Sequence, residues 1–129
     1  MSNRLLAAAG VLCVVVCLAL YGWLHVAPAS AGVDWQTRTL SQYALLENGW
    51  AFDAATLLLA AGSALAAVAL VLTGLIRAGA SVAVALWVAG LVGVVLFEKH
   101  NWSVGPSISG DVHRVASVVA FLSLPVGAL

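Results

Sequence analysis

The chain of 129 residues is 64% apolar and 8% charged, with five basic and five acidic residues and a formal net charge of zero. Soluble domains are about half apolar and about a quarter charged, so these few charged side chains cannot cover the surface of a water-soluble fold. The balanced charge also excludes the basic patch that nucleic-acid binding requires. The composition therefore predicts an integral membrane protein.

Four apolar segments follow one another along the chain, at residues 5–26, 50–76, 80–97 and 112–129. A helix needs ~20 apolar residues to cross a hydrocarbon core of ~30 Å. The second and third segments are separated by residues 77–79 alone, which predicts an antiparallel helical hairpin. We predict an all-α fold, a polytopic transmembrane helical bundle with four membrane-embedded helices in one domain.

The two ends of the chain allow more than one interpretation. Arg4 and the small residues 29–31 would suit a cleaved signal peptide, but the apolar segment is longer than the usual ~7–15 residues, which favours a retained helix. Residues 115–129 would span only about 22 Å at ~1.5 Å per residue. We therefore expect that the chain is the N-terminal part of a longer protein, or that the last helix tilts, thins the bilayer or packs against a partner.

Four spans would place the polar stretches 27–49 and 98–111 on one side of the membrane and Arg4 and Arg77 on the other. The positive-inside rule alone slightly disfavours a cytoplasmic N-terminus, because the two sides hold three and two basic residues respectively, but all five acidic residues accompany the three. We expect a cytoplasmic N-terminus in the plasma membrane, since the first segment resembles a signal anchor. All three histidines, all five carboxylates and four of the five tryptophans then share the opposite face.

Histidine and carboxylate side chains on that face are candidate metal ligands, because imidazole and carboxylate both bind zinc and other divalent metals. The candidates are His25, His100, His113, Asp53 and Asp111. They lack a diagnostic spacing such as HExxH, and the favoured interpretation is that they satisfy helix ends and lipid headgroups. Haem held by His25 and His113 is a further alternative. We predict no cofactor.

Other motifs give no positive case for an enzyme. The chain has no phosphate-binding glycine loop, nucleophile elbow or Ser-His-Asp order, and Cys13 and Cys17 are interpreted as packing residues of one helix face. Asp111 is a candidate helix N-cap, and Arg114 is a candidate ligand of lipid phosphates. Transporters place ionisable residues near the bilayer midplane, and the central stretches here lack them.

Three short motifs resemble the family called domain of unknown function 998. They are Leu-Ser-Gln-Tyr-Ala at residues 40–44, Gly-Trp-Ala-Phe-Asp at residues 49–53, and Gly-Asp-Val-His-Arg at residues 110–114, which precedes an alanine-containing helix. The resemblance implies a six-helix membrane bundle, of which this chain would supply helices one to four. It implies no activity, and it directs attention to Trp50, Asp53, Gly110 and His113.

We therefore expect a non-enzymatic accessory, structural or lipid-contacting membrane component. Its expected partners are membrane lipids and a protein partner or a second copy of the chain, and not nucleic acid. Two alternatives stay open: a metal- or haem-binding subunit that uses the histidine and carboxylate face, and a component of a transporter.

Overall fold

The computed structural model describes residues 2–128. Its four long helices are α1 (Asn3–Val26), α2 (Gly49–Leu72), α3 (Ala78–Leu96) and α4 (Ile108–Gly127), and two short 3-10 helices, Pro28–Ser30 and Leu40–Leu45, lie between α1 and α2. No β-strand occurs within the described range. The predicted all-α helical bundle is confirmed.

Local backbone chemistry sets the helix ends, and two of them lie four residues from the predicted positions. The Ser107 hydroxyl caps α4 by accepting from the Gly110 N–H at 3.0 Å, so α4 begins at Ile108, before the predicted start at residue 112. Gly74 has a φ of 68°, a left-handed conformation that releases the chain from the helix. For this reason α2 ends at Leu72 and not at Ile76.

Three of the helices, α1, α2 and α3, are long and apolar enough to cross a membrane. Their outer faces are apolar as well as their inner ones; Val11, Leu12 and Leu18 of α1 are each more than 60% exposed. Soluble proteins rarely expose so continuous an apolar surface. These faces are suited to lipid. The helix α4, which carries Asp111 and Arg114 in its first two turns, is not among the three.

Small residues allow the helices to approach closely in two pairs. A Cβ added at Gly62 of α2 would lie 2.8 Å from the Gly10 carbonyl oxygen of α1, and one added at Gly90 of α3 would lie 2.7 Å from the Ala120 nitrogen of α4. Between the pairs, the Trp87 indole N–H of α3 donates to the Ser63 hydroxyl of α2 at 3.0 Å. Within the described chain α1 and α4 share no extensive contact, so the bundle stays open on that side.

The segment between α1 and α2 covers one end of the bundle. Its buried Tyr43 packs with Leu24 and Phe52, and the Tyr43 hydroxyl is hydrogen-bonded to Nδ1 of His25 at 2.6 Å. Asn48 donates to the Ser30 hydroxyl at 2.9 Å, which ties the first 3-10 helix to the start of α2. The segment between α1 and α2 therefore lies directly above the space between the helices.

The close approach of α3 and α4 predicts a sharp sensitivity at Gly90. Gly90→Ala would push α4 away and destabilise the fold by about 1–3 kcal/mol, the usual cost of overpacking. Gly22→Ala is the matched control, because a Cβ there meets no atom within 4 Å. Thermal unfolding in detergent should show a lower midpoint for Gly90→Ala alone. Equal midpoints for the two variants would contradict the observed packing.

Candidate functional site: an amphipathic cavity

A cavity of about 650 Å³, called here the main cavity, lies between the α1–α2 pair and the α3–α4 pair. Pockets that bind small molecules usually measure about 300–1,000 Å³. The part within the helices is lined mainly by large apolar side chains: Phe52, Leu59, Trp87, Leu91, Val94 and Phe121. Trp87 precedes the end of α3 by nine residues, so the cavity reaches about 13 Å below that helix end.

The polar side chains deep in the main cavity bond to one another and to the backbone. The Thr56 hydroxyl donates to the Phe52 carbonyl at 2.7 Å, which leaves its oxygen to accept from the Tyr21 hydroxyl at 2.9 Å. The indole N–H of Trp87 is held by Ser63, as described above. With its donors engaged, the inner wall presents an apolar surface to any molecule inside.

The mouth of the main cavity is polar and carries positive charge. Lys99 and Arg114 are its charged lining residues, and the described lining includes no carboxylate. Lys99 is half-buried and donates to the Thr39 hydroxyl at 2.6 Å. Burial lowers the pKa of the Lys99 amino group, and the neighbouring Arg38 lowers it further. Arg114 is exposed, with a nitrogen 3.4 Å from an oxygen of Asp111.

His100 forms part of the rim and contacts two residues that were singled out from the sequence, Asp111 and Gly110. Its Nδ1 accepts from the Ser107 N–H at 3.0 Å, so the proton of the neutral ring resides on Nε2, which faces Asp111 at 3.4 Å. The ring lies directly against Gly110, where no side chain would fit. Trp102 packs against the His100 ring at a tilt of 40°, with ring centroids 5.0 Å apart.

His113 lines the main cavity from the second turn of α4 and is only 6% exposed. Its Nδ1 lies 2.8 Å from the Phe97 carbonyl and 3.0 Å from the Val94 carbonyl. Carbonyl oxygens only accept, so Nδ1 carries a proton and caps the end of α3. The neutral ring is left with a lone pair on Nε2, for which residues 2–128 supply no hydrogen-bond partner.

A second space of about 210 Å³, called here the side cavity, adjoins the main cavity and shares Val94, Lys99 and His113 with it. Its other polar lining residues are Asp53 and Glu98. Neither carboxylate forms a hydrogen bond or an ion pair in the part of the chain that the structure describes. The two cavities therefore combine a cationic mouth with an adjacent anionic pocket.

The five candidate metal ligands do not converge on one point. Within residues 2–128, no three histidine, cysteine or acidic side chains lie close enough together to hold a metal ion. His25 bonds to Tyr43, His100 faces Asp111, and His113 caps α3. The haem alternative at His25 and His113 stays a prediction, because the hydrogen bonds described here use only Nδ1 of each ring.

Three other residues that the sequence analysis discussed, Trp50, Cys13 and Cys17, do not line either cavity. Trp50 is 61% exposed at the start of α2 and packs against Trp23 with ring centroids 6.0 Å apart. Such an aromatic pair suits the membrane–water interface. Cys17 is buried, and the Cβ of Cys13 faces Gly62 in the α1–α2 interface, so both cysteines contribute to packing.

Several cavity residues were not among the sequence candidates, namely Tyr21, Thr56, Trp87, Lys99 and Thr39. Tyr21 and Thr56 are polar groups inside apolar helices, which is a readable signal for an inward-facing position. Lys99 is the only lysine of the chain. The sequence does not show that these residues face one space, because that depends on the open arrangement of the helix pairs.

Comparison with known proteins agrees with the motifs. The model of one family, described as "Protein of unknown function (DUF998)", matches residues 4–129. The chain belongs to this family. It is a membrane protein with apolar helices of transmembrane length. No curated protein and no solved structure matches the chain.

The environment of Lys99 predicts a pH dependence. The pKa of Lys99 should lie below its ordinary 10.5, and Arg38→Gln should raise it part of the way, because burial is the larger cause. The folded protein binds this proton less tightly than the unfolded chain, so the contribution to stability rises as the pH increases from the folded pKa towards 10.5. NMR of labelled lysine would follow this single residue. Arg77→Gln, at the other end of the helices, should leave the titration unchanged; an equal response would contradict the assignment to Arg38.

Proposed function

We propose that this chain is a multi-pass plasma-membrane protein that binds one phospholipid molecule in the main cavity and acts as a lipid-binding component, not as an enzyme. The observation that carries the proposal is the division of the cavity. Apolar side chains line its depth within the helices, and Lys99 and Arg114 lie at its mouth without a carboxylate among the lining residues. A phospholipid has the same division between acyl chain and phosphate.

The open side of the bundle supports a lipid as the occupant. Since α1 and α4 share no extensive contact, an acyl chain can enter between them from the bilayer without crossing water. At the mouth, the guanidinium of Arg114 can donate two hydrogen bonds to a phosphate, and the ammonium of Lys99 adds a second positive charge. Trp102, which is 69% exposed on the rim, suits the headgroup level.

The proposed topology places the N-terminus in the cytoplasm and the cavity mouth on the opposite side. The support is the likeness of α1 to a signal anchor, since Arg4 lies in the first turn of this 24-residue helix and an apolar run follows it. In this arrangement α4 is embedded with the other helices, and its polar first turns reach the interface where the mouth of the cavity opens.

A bulky side chain in the cavity should prevent lipid binding. Ser117 lines the main cavity, whereas the adjacent Val118 is 51% exposed on the outer side of α4. Native mass spectrometry of the gently extracted protein should show one retained phospholipid for the wild type and for Val118→Phe, and none for Ser117→Phe. Lipid retained equally by all three proteins would contradict the proposal. A dimer without lipid would show that a second copy covers the opening instead.

Removal of the two cations should weaken phospholipid binding. The double variant Lys99→Gln/Arg114→Gln should lower the affinity for dioleoyl phosphatidylglycerol by about tenfold or more, since each lost contact is a charge-assisted hydrogen bond. Arg77→Gln is the matched control for loss of a cation elsewhere. Inorganic phosphate should not displace the lipid, because it lacks the apolar chain. Unchanged affinity in the double variant would exclude these side chains as the phosphate site.

A further inference from the structure

The side cavity has features that the binding of a phosphate and an acyl chain does not use. Asp53 and Glu98 border a space of about 210 Å³ beside the cationic mouth. Two carboxylates around one space repel each other when both are ionised, and a cation between them removes this repulsion. The structure supplies no such cation from the described residues, because the Lys99 ammonium bonds to Thr39 and forms no ion pair with either carboxylate.

His113 gives independent evidence for a ligand at this place. The side chain is 6% exposed and lines both cavities, and its Nε2 has no partner among residues 2–128. Because the carbonyls of Val94 and Phe97 hold the proton on Nδ1, Nε2 of the neutral ring can only accept a hydrogen bond. Nε2 keeps some accessible surface and lacks a donor among the described residues, so a donor that enters the cavities can complete it. A ligand that completes this site must bring an N–H or O–H group.

We infer that the bound phospholipid carries a primary ammonium group on its headgroup and that the side cavity receives this group. The inference rests on the proposed function and adds the headgroup class to it. A primary ammonium has one positive charge and three N–H donors, which match the two carboxylates and the lone pair of His113. Lys99 lines both cavities, so a phosphate bound there lies next to the space for the amine, as an aminoethyl phosphate headgroup requires.

The same chemistry ranks the other common headgroups. A choline group has the positive charge but no N–H, so it cannot donate to His113 or to the carboxylates. A glycerol headgroup has hydroxyl donors but no positive charge to offset Asp53 and Glu98. Phosphatidylethanolamine is therefore expected to bind more tightly than phosphatidylcholine or phosphatidylglycerol with the same acyl chains.

The test is a competition among dioleoyl phosphatidylethanolamine, phosphatidylcholine and phosphatidylglycerol, read by native mass spectrometry of the full chain. The wild type should prefer phosphatidylethanolamine over phosphatidylcholine by about tenfold, as charge-assisted hydrogen bonds of this kind imply. Asp53→Asn/Glu98→Gln should reduce this ratio to about one, and phosphatidylglycerol should bind the double variant at least as well as it binds the wild type. Glu47→Gln, an exposed carboxylate near the start of α2, is the control and should keep the preference.

His113→Asn separates the role of Nε2 from the structural role of Nδ1. The asparagine amide can still donate to the carbonyls at the end of α3, but it lacks the Nε2 acceptor. This variant should keep the thermal unfolding midpoint of the wild type and lose part of the preference for phosphatidylethanolamine. Equal binding of the three lipids by the wild type, or a preference that survives Asp53→Asn/Glu98→Gln, would overturn the inference and leave phospholipid binding intact. Binding of none of them would instead refute the proposed function.

Discussion

The close approach of helices at glycine is the constraint on which the rest of this structure depends. Gly10 and Gly62 bring the backbones of α1 and α2 together, and Gly90 does the same for α3 against Ala120 of α4. In a bilayer, where lipid is as apolar as a leucine side chain, helices associate through such backbone contacts and through hydrogen bonds. Tight contact within each pair leaves a looser contact between the pairs. The Trp87–Ser63 hydrogen bond holds α2 near α3, whereas α1 and α4 share no extensive contact in the described chain. The main cavity follows from this uneven packing.

The polar end of the bundle is organised around helix ends. The last carbonyls of α3 have no partner within the helix, and the imidazole of His113 supplies one from α4. That hydrogen bond also fixes the tautomer of the ring and leaves the other nitrogen as an acceptor. Ser107 caps α4 while its N–H holds His100, so the same few residues end one helix, begin the next and orient two rings. Structural and site roles are combined in these side chains, which is why a variant such as His113→Asn is more informative than a truncation to alanine.

The sequence predicts the four helices and several residues of the site, but not the site itself. Segment length and polarity are sufficient for the helices, because a span of apolar residues has few alternatives in a membrane. Gly110, His113 and Arg114 were singled out, and they lie at the cavity. Tyr21 and Thr56 were missed for a physical reason. In a membrane helix the lipid-facing and protein-facing sides are both apolar, so periodicity does not reveal the inner face. Helix α2 illustrates this, since Leu57 is 43% exposed beside buried Thr56. The hydrogen-bond partners of each histidine also depend on tertiary contacts, which the spacing of these residues along the chain does not predict.

The arrangement of α4 reconciles its lower hydropathy with a place in the membrane. Its cavity-lining residues, Gly110, His113, Arg114, Ser117, Ala120 and Phe121, recur every three to four positions and therefore share one face. The opposite face consists of apolar residues such as Val115, Val118 and Leu122, all more than half exposed. The mean hydropathy of a helix is averaged over both faces. The polar residues on the cavity face of α4 therefore lower this mean, although its other face is apolar. If the inner face contacts a lipid headgroup at its start and an acyl chain further along, α4 meets only apolar groups where it is surrounded by the bilayer. The residues that lower its mean hydropathy are then the residues that the proposed function needs.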